Sequence, residues 1–203
     1  MGSGPFGSWE PRNPDDWIAK REVEAGSWWK SDEIPNARRN INHYMDASGA
    51  PLDQDVGQML KDIPNFSDQV NTDSQILGAD AIARAQASGA TGSVTYPVNT
   101  AWNGLAVDPN AAGIEKDWYL ATGNFDYNMS GQVTVFPPSD GQGWRYEMST
   151  DVNMRDQYNW DIGESTPIMG TNITDSQMAR FHLIGYALEF TMYGSSGIWR
   201  TGG

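Results

Sequence analysis

The densest chemistry in the chain lies in one run, Asp151-Val-Asn-Met-Arg-Asp-Gln-Tyr-Asn-Trp-Asp161. It combines three carboxylates with amides, a phenol, an arginine and a tryptophan. Val152, Met154 and Trp160 put apolar side chains at even positions, which predicts a strand with one wet face. Arg155, Gln157, Asn159 and Asp161 share the wet parity. Asp156 and Tyr158 fall on the other parity, among the apolar residues. A carboxylate taken out of water needs a partner, so this placement is costly unless it is used. The competing reading leaves Asp156 and Arg155 as strand-end charges in water. Asp151, Asp156, Asp161 and Glu164 can supply oxygen ligands to a hard divalent cation that bridges to a phosphate. One carboxylate can equally act as general base on a water, and two acids beside a sugar can hydrolyse a glycosidic bond. Spacing alone does not separate the three.

Two further candidates lie downstream. His182 stands mid-helix beside Phe181, either as a core-edge imidazole or as a general acid or base facing Asp156. Arg180, on the same helix, either steers a phosphate or pairs with Asp175 or Asp151. His43 reads as ordinary surface.

The rest of the composition narrows the field. The chain has 203 residues, no cysteine, two histidines and a net charge of −13. Thiol catalysis, disulfides and cysteine-based zinc sites are excluded, and a histidine-rich metal site is disfavoured. No Lys/Arg cluster exceeds Arg38-Arg39, so a nucleic-acid partner is not expected. Nucleotide-cradling glycine motifs and the Gly-x-Ser-x-Gly elbow are absent. No apolar run reaches the ~18–20 residues of a transmembrane segment. The Met1-Gly-Ser-Gly-Pro start is not a secretory signal, so any delivery information lies elsewhere.

These residues must be positioned by the elements around them. Residues 1–33, with three prolines and four tryptophans, predict an irregular arm packed on the body. Helices are expected over Ile34–Met45, Asp53–Leu60 and Ser67–Gln86, the first with Ile41, Tyr44 and Met45 inward. Gly78 is expected to weaken the middle of the third. The texture changes near residues 90–100, which places a boundary between a helical part, 1–95, and a β-rich part, 96–203. Strands are expected at Val94–Tyr96, Asp117–Thr122, Asn124–Asn128, Gln132–Phe136 and Trp144–Thr150, the last running into the organising stretch. Asn103-Gly104 and Asp108-Pro109 read as turns. Thr174-Asp-Ser-Gln177 is a capping-box signal opening a helix with Met178, Phe181, Leu183-Ile184 and Leu188 on one side. Phe190–Tyr193 reads as a last strand before a frayed glycine-rich end. The fold class is α+β: a helical N-terminal half packed on an antiparallel meander or open β-barrel.

The C-terminal half, residues 117–198, resembles the catalytic domain of colicin M, a bacteriocin that degrades the peptidoglycan precursor lipid II. The resemblance rests on Ala121-Thr-Gly-Asn-Phe-Asp-Tyr, Gly131-Gln-Val-Thr-Val, Trp144-Arg-Tyr and Asp156-Gln-Tyr158-Asn-Trp-Asp161, then a helix and Glu189-Phe-Thr-Met. That family's signature is Asp-x-Tyr-Asp, an Asn two residues on, and a following His-Arg. Asp156 and Tyr158 match. Asn159 stands where the second Asp belongs and Asp161 where the Asn belongs. Ser165-Thr-Pro167 occupies the region of the His-Arg pair. The chain also resembles C-terminal modules of bacterial polymorphic toxins. The resemblance implies an interbacterial toxin that cleaves a lipid-linked pyrophosphate with Mg²⁺ or another divalent cation. Asp156 would be metal ligand or base, Tyr158, Asn159 and Asp161 would orient it, and His182 and Arg180 would replace the missing pair. It further implies a lipid-linked cell-wall precursor and a cognate immunity protein as partners, and a secreted protein delivered to the target-cell envelope. The alternative is a non-enzymatic carbohydrate- or protein-binding module of a phage or cell-surface protein, built on nine Trp and eight Tyr. Membrane perturbation is disfavoured, because no basic amphipathic helix is present.

Overall fold

A computed structural model describes residues 3–8, 11–29, 32–139, 141–162 and 174–203. Four helices and a two-residue strand come before residue 90: α1 (Pro14–Trp29), α2 (Pro35–Met45), β1 (Leu52–Asp53), α3 (Val56–Asp62) and α4 (Pro64–Ala87). Then follow β2 (Val94–Asn99), β3 (Asn103–Ala106), α5 (Gly113–Thr122), β4 (Asn124–Phe136), β5 (Arg145–Tyr158), α6 (Asp175–Leu183) and β6 (Phe190–Gly202). The hydrogen-bonded strand order is β1-β6-β5-β4-β2, with β3 also paired to β4. The fold is α+β. Its long strands form an antiparallel meander, β1 joins in parallel, and the path does not close into a barrel.

Several local expectations are corrected. The N-terminal arm contains a helix, because Asn13 and Asp16 cap it reciprocally: each backbone N–H donates to the other's side chain at 2.9 Å. Trp9 lies outside the described residues. Residues 117–122 are helical, not extended. Asp117, on α5, is fully buried and accepts hydrogen bonds from the Asn36 and Ala37 backbone N–H groups (3.0 and 2.8 Å) and from the Asn36 amide (2.8 Å). A helix starting at Pro35 leaves these donors orphaned, and a carboxylate brought from another helix satisfies them.

Residues 124–136 form one strand rather than two. It passes through Gly131, where a side chain would collide with the Ser149 carbonyl. Asn103-Gly104 belongs to β3, paired antiparallel along Asp126–Tyr127. The glycine-rich end is strand β6, and at Gly194 an added Cβ would collide with the Gln54 carbonyl oxygen. Glycine is used there for close backbone approach. The helix expected to run on to Leu188 ends at Leu183.

The chain forms two compact units: Met1–Asp53, Asp108–Gly123 and Asp156–Tyr193; and Gln54–Val107, Asn124–Arg155 and Gly194–Gly203. In the first, α1, α2, α5 and α6 enclose a core containing Tyr44, Trp118, Phe181 and Phe190, each at most 1% exposed. In the second, α4 buries Phe66, Val70, Ser74, Gly78, Ala81 and Ala85 along one stripe. Phe66 meets Phe125 and Tyr127 edge-on, with centroids 5.1 and 5.4 Å apart. Gly78 makes room for the Tyr146 ring, with which an added Cβ would collide. Burying such a side chain is worth roughly 1.5–3 kcal/mol. Among the described residues no helix is long and apolar enough to cross a membrane.

Candidate functional site

Strand β5 presents the site. Tyr146, Met148, Thr150, Val152 and Met154 alternate inward along it; Asp156 is half-buried in the same parity, and Tyr158 is buried again. The period-2 pattern therefore carries a carboxylate and a phenol to the end of an otherwise apolar face. Asp156, Tyr158 and all that follows here belong to the first unit.

The Tyr158 ring is stacked on Phe190 at 4.8 Å and 16°, tilted against Tyr44 at 5.7 Å, and met edge-on by Trp160 at 5.7 Å. The Tyr158 hydroxyl and the Trp160 indole N–H are both buried without a hydrogen-bond partner among the described residues. Burial pushes the Tyr158 phenol far above its usual range. It stays protonated, a donor without an acceptor among the described residues. Buried polar groups are nearly always satisfied; Thr150 Oγ1, further along the same face of β5, is a third such group. Asn159 and Trp160 are half-buried, and Asp161 is exposed. Asp156 and Asp161 are both engaged in interactions of their own.

His182 is 4% exposed. Its Nδ1 accepts the Glu189 backbone N–H at 3.2 Å, which leaves the ring proton on Nε2, 2.7 Å from the Gly4 carbonyl oxygen. Both nitrogens are thus held by backbone, and Phe6 packs edge-on at 5.6 Å. Arg180 is clamped to Asp16 on α1 by two hydrogen bonds of 2.6 and 3.0 Å. The Arg180 guanidinium holds the Asp16 carboxyl below its usual range against the opposing effect of burial, helped by the Asn13 N–H. Arg12 continues this clasp by donating to the Ile184 and Gly185 carbonyls (3.0 and 2.9 Å), with its guanidinium 4.4 Å over the Tyr186 ring.

An N-terminal segment ties the pieces together. The Ser3 N–H donates to the Glu189 carboxylate at 2.7 Å and the Ser3 hydroxyl to the Trp160 carbonyl at 2.8 Å. The Gly7 N–H donates to the His182 carbonyl at 3.1 Å. Ser3, Asp16, Tyr44, Glu189 and Phe190 were not among the residues singled out from the sequence. Tyr44 and Phe190 were legible as apolar positions; the pairings of Ser3 with Glu189 and Trp160, and of Asp16 with Arg180, join residues more than 150 apart in the chain, beyond any local signal. The Tyr44 phenol is raised by burial and by the nearby Glu189 charge, and it donates to the Met178 carbonyl at 2.8 Å.

Among the described residues no three His, Asp or Glu side chains gather as a metal cage. Glu164 and Ser165-Thr-Pro167 lie outside them. The donors that the strand end does offer, the Asp156 and Asp161 carboxylates and the Asn159 carbonyl, are all oxygen. Oxygen is the donor type that a hard cation takes.

No protein-family model matches the chain, and no curated protein matches it. Its structure is similar to that of a truncated bacteriocin, syringacin M from Pseudomonas syringae pv. tomato DC3000, at 15% sequence identity and a TM-score of 0.40. The match covers 85% of this chain and spans 61% of the length of the other.

Proposed function

We propose that this chain is an interbacterial toxin domain that hydrolyses a lipid-linked pyrophosphate peptidoglycan precursor, lipid II, at the end of β5. The observation that carries the reading is Tyr158. Its hydroxyl is buried and unpartnered among the described residues, two positions from a half-buried carboxylate. A donor left unsatisfied in the free protein is suited to an oxygen that arrives with the substrate. The Asp156-x-Tyr158 spacing shared with colicin M supports the same conclusion.

In this reading Asp156 takes the proton of a water whose oxygen forms a new bond to phosphorus. The bond from phosphorus to the lipid oxygen breaks, and that oxygen leaves with the proton that Asp156 has taken. Tyr158 donates to a phosphate oxygen as charge builds there. Asn159 and Asp161 orient the water and the headgroup. Arg180 and His182, fastened to Asp16 and to the backbone, hold α6 and the N-terminal segment against the strand end. Were Asp156 instead to hold Mg²⁺, the cation would draw charge from the phosphate oxygens. The working place is the outer face of the target cell's inner membrane, and a producing cell would need a cognate immunity protein.

The test is incubation of the purified chain with lipid II and Mg²⁺, assayed for released pyrophosphorylated disaccharide. Asp156→Asn should abolish release, by about 10²-fold or more, with the folded circular dichroism spectrum intact. No release by the unaltered chain would overturn the reading.

A further inference from the structure

We infer that a cleft in the second unit binds a neutral, hydroxyl-rich saccharide. It holds about 510 Å³ and is lined by Asn65, Gln69 and Asp73 from α4, by strand β3 and by Tyr127. The volume falls within the roughly 300–1,000 Å³ of small-ligand sites. The three α4 residues follow one another at four-residue spacing, so they form a single polar stripe along one wall.

The lining groups are prearranged. The Tyr127 hydroxyl donates to one Asp73 carboxylate oxygen at 2.6 Å, and the Gln69 amide donates to the other at 3.1 Å. Burial, and then Asp73, hold the Tyr127 phenol protonated. Asn65 donates to the Ala106 carbonyl at 2.9 Å, which fastens α4 to β3. Beyond these bonds the Asp73 oxygens each keep a lone pair, and the Asn65 and Gln69 carbonyl oxygens keep their acceptor capacity.

The chemistry of the lining selects the ligand. No Lys, Arg or His lines the cleft, and the chain carries net charge −13, so an anion is repelled. Leu105 and Ala106 are its only aliphatic side chains, too few for an apolar ligand. A lone carboxylate already accepting two hydrogen bonds is a poor cation cage. Vicinal hydroxyls match what remains, because they donate to the carboxylate and amide oxygens and accept from the amide N–H groups. This inference does not depend on the activity proposed for the β5 end, which belongs to the other unit.

The test is a ¹H–¹⁵N NMR titration of the whole chain with cellobiose and, separately, with diacetylchitobiose. Saturable shifts should appear at the Asn65, Gln69 and Asn103 side-chain amides. Asn103 is exposed, so Asn103→Ala should keep the fold and weaken binding by about 2–10-fold. Asp73→Asn should weaken it by about tenfold or more, as expected for the loss of a charged acceptor. Glucose 6-phosphate should bind more weakly than glucose. Absence of saturable shifts with both disaccharides overturns the inference. So do shifts that Asn103→Ala leaves unchanged.

Discussion

Tyr158→Phe removes one oxygen atom and nothing else. The ring contacts with Phe190, Tyr44 and Trp160, at centroid distances of 4.8, 5.7 and 5.7 Å, are kept. What disappears is a hydroxyl buried without a partner among the described residues. Holding such a group out of water costs roughly 1–3 kcal/mol. The small void left by the oxygen gives part of that back, so the variant should be more stable by about 1 kcal/mol. For a chain of this length that corresponds to a melting temperature about 2–4 °C higher. Urea unfolding followed by tryptophan fluorescence reads the same quantity as a shift in midpoint at unchanged slope. Lipid II release should fall in the same variant by about tenfold or more, because the lost group is one the substrate oxygen would have satisfied. A gain in stability with a loss of activity is the signature of a residue kept for function. Destabilisation by 1 kcal/mol or more would refute the reasoning, since it would mean the hydroxyl has a partner in the folded protein.

Other variants probe the scaffold. The Asp16 carboxyl is held below its usual range by Arg180. Its contribution is therefore complete above the unfolded value of about 3.9 and lost as pH falls through the lower folded value. Acid unfolding of Asp16→Asn should accordingly show a shallower loss of stability below about pH 4 than the unaltered chain. Gly78→Ala should destabilise by about 1–3 kcal/mol in urea unfolding despite its better helix propensity, because the new Cβ would collide with the Tyr146 ring. Asp117→Ala leaves the Asn36 and Ala37 N–H groups unsatisfied at a buried helix start. It should cost about 2–4 kcal/mol in the same assay.

Sequence reasoning worked where the signal is periodic or local. The alternation of β5, with Asp156 and Tyr158 on its inward parity, follows from the two-residue repeat of a strand. The Thr174 and Gln177 capping box follows from their spacing, and both of its hydrogen bonds form. The start of α1 was equally local. Asn13-Pro-Asp-Asp16 is a capping signal, hidden by prolines and tryptophans that suggested an irregular arm. Asp117-Trp-Tyr-Leu-Ala-Thr122 misled for a different reason. Its aromatic, β-favouring composition is overridden by a carboxylate needed at the end of another helix, and nothing within ten residues records that need. The glycines of β6 read as fraying because glycine weakens strands on average, yet Gly194 is there to let a backbone approach. The surroundings of His182 were illegible in principle: its partners are backbone groups of Gly4 and Glu189, and backbone has no sequence signature.

The first unit is stitched from stretches separated by more than fifty and then more than thirty residues of the second. Loop closure across such gaps must precede most of the reward, so refolding should be slow for a chain of this size. During synthesis α1 and α2 leave the ribosome long before Tyr158 can meet Tyr44 and Phe190 can stack on Tyr158. The parts of their apolar faces that α6 and β6 cover stay open until those late elements are made, which makes the nascent polypeptide a client for chaperones and prone to aggregation when overproduced.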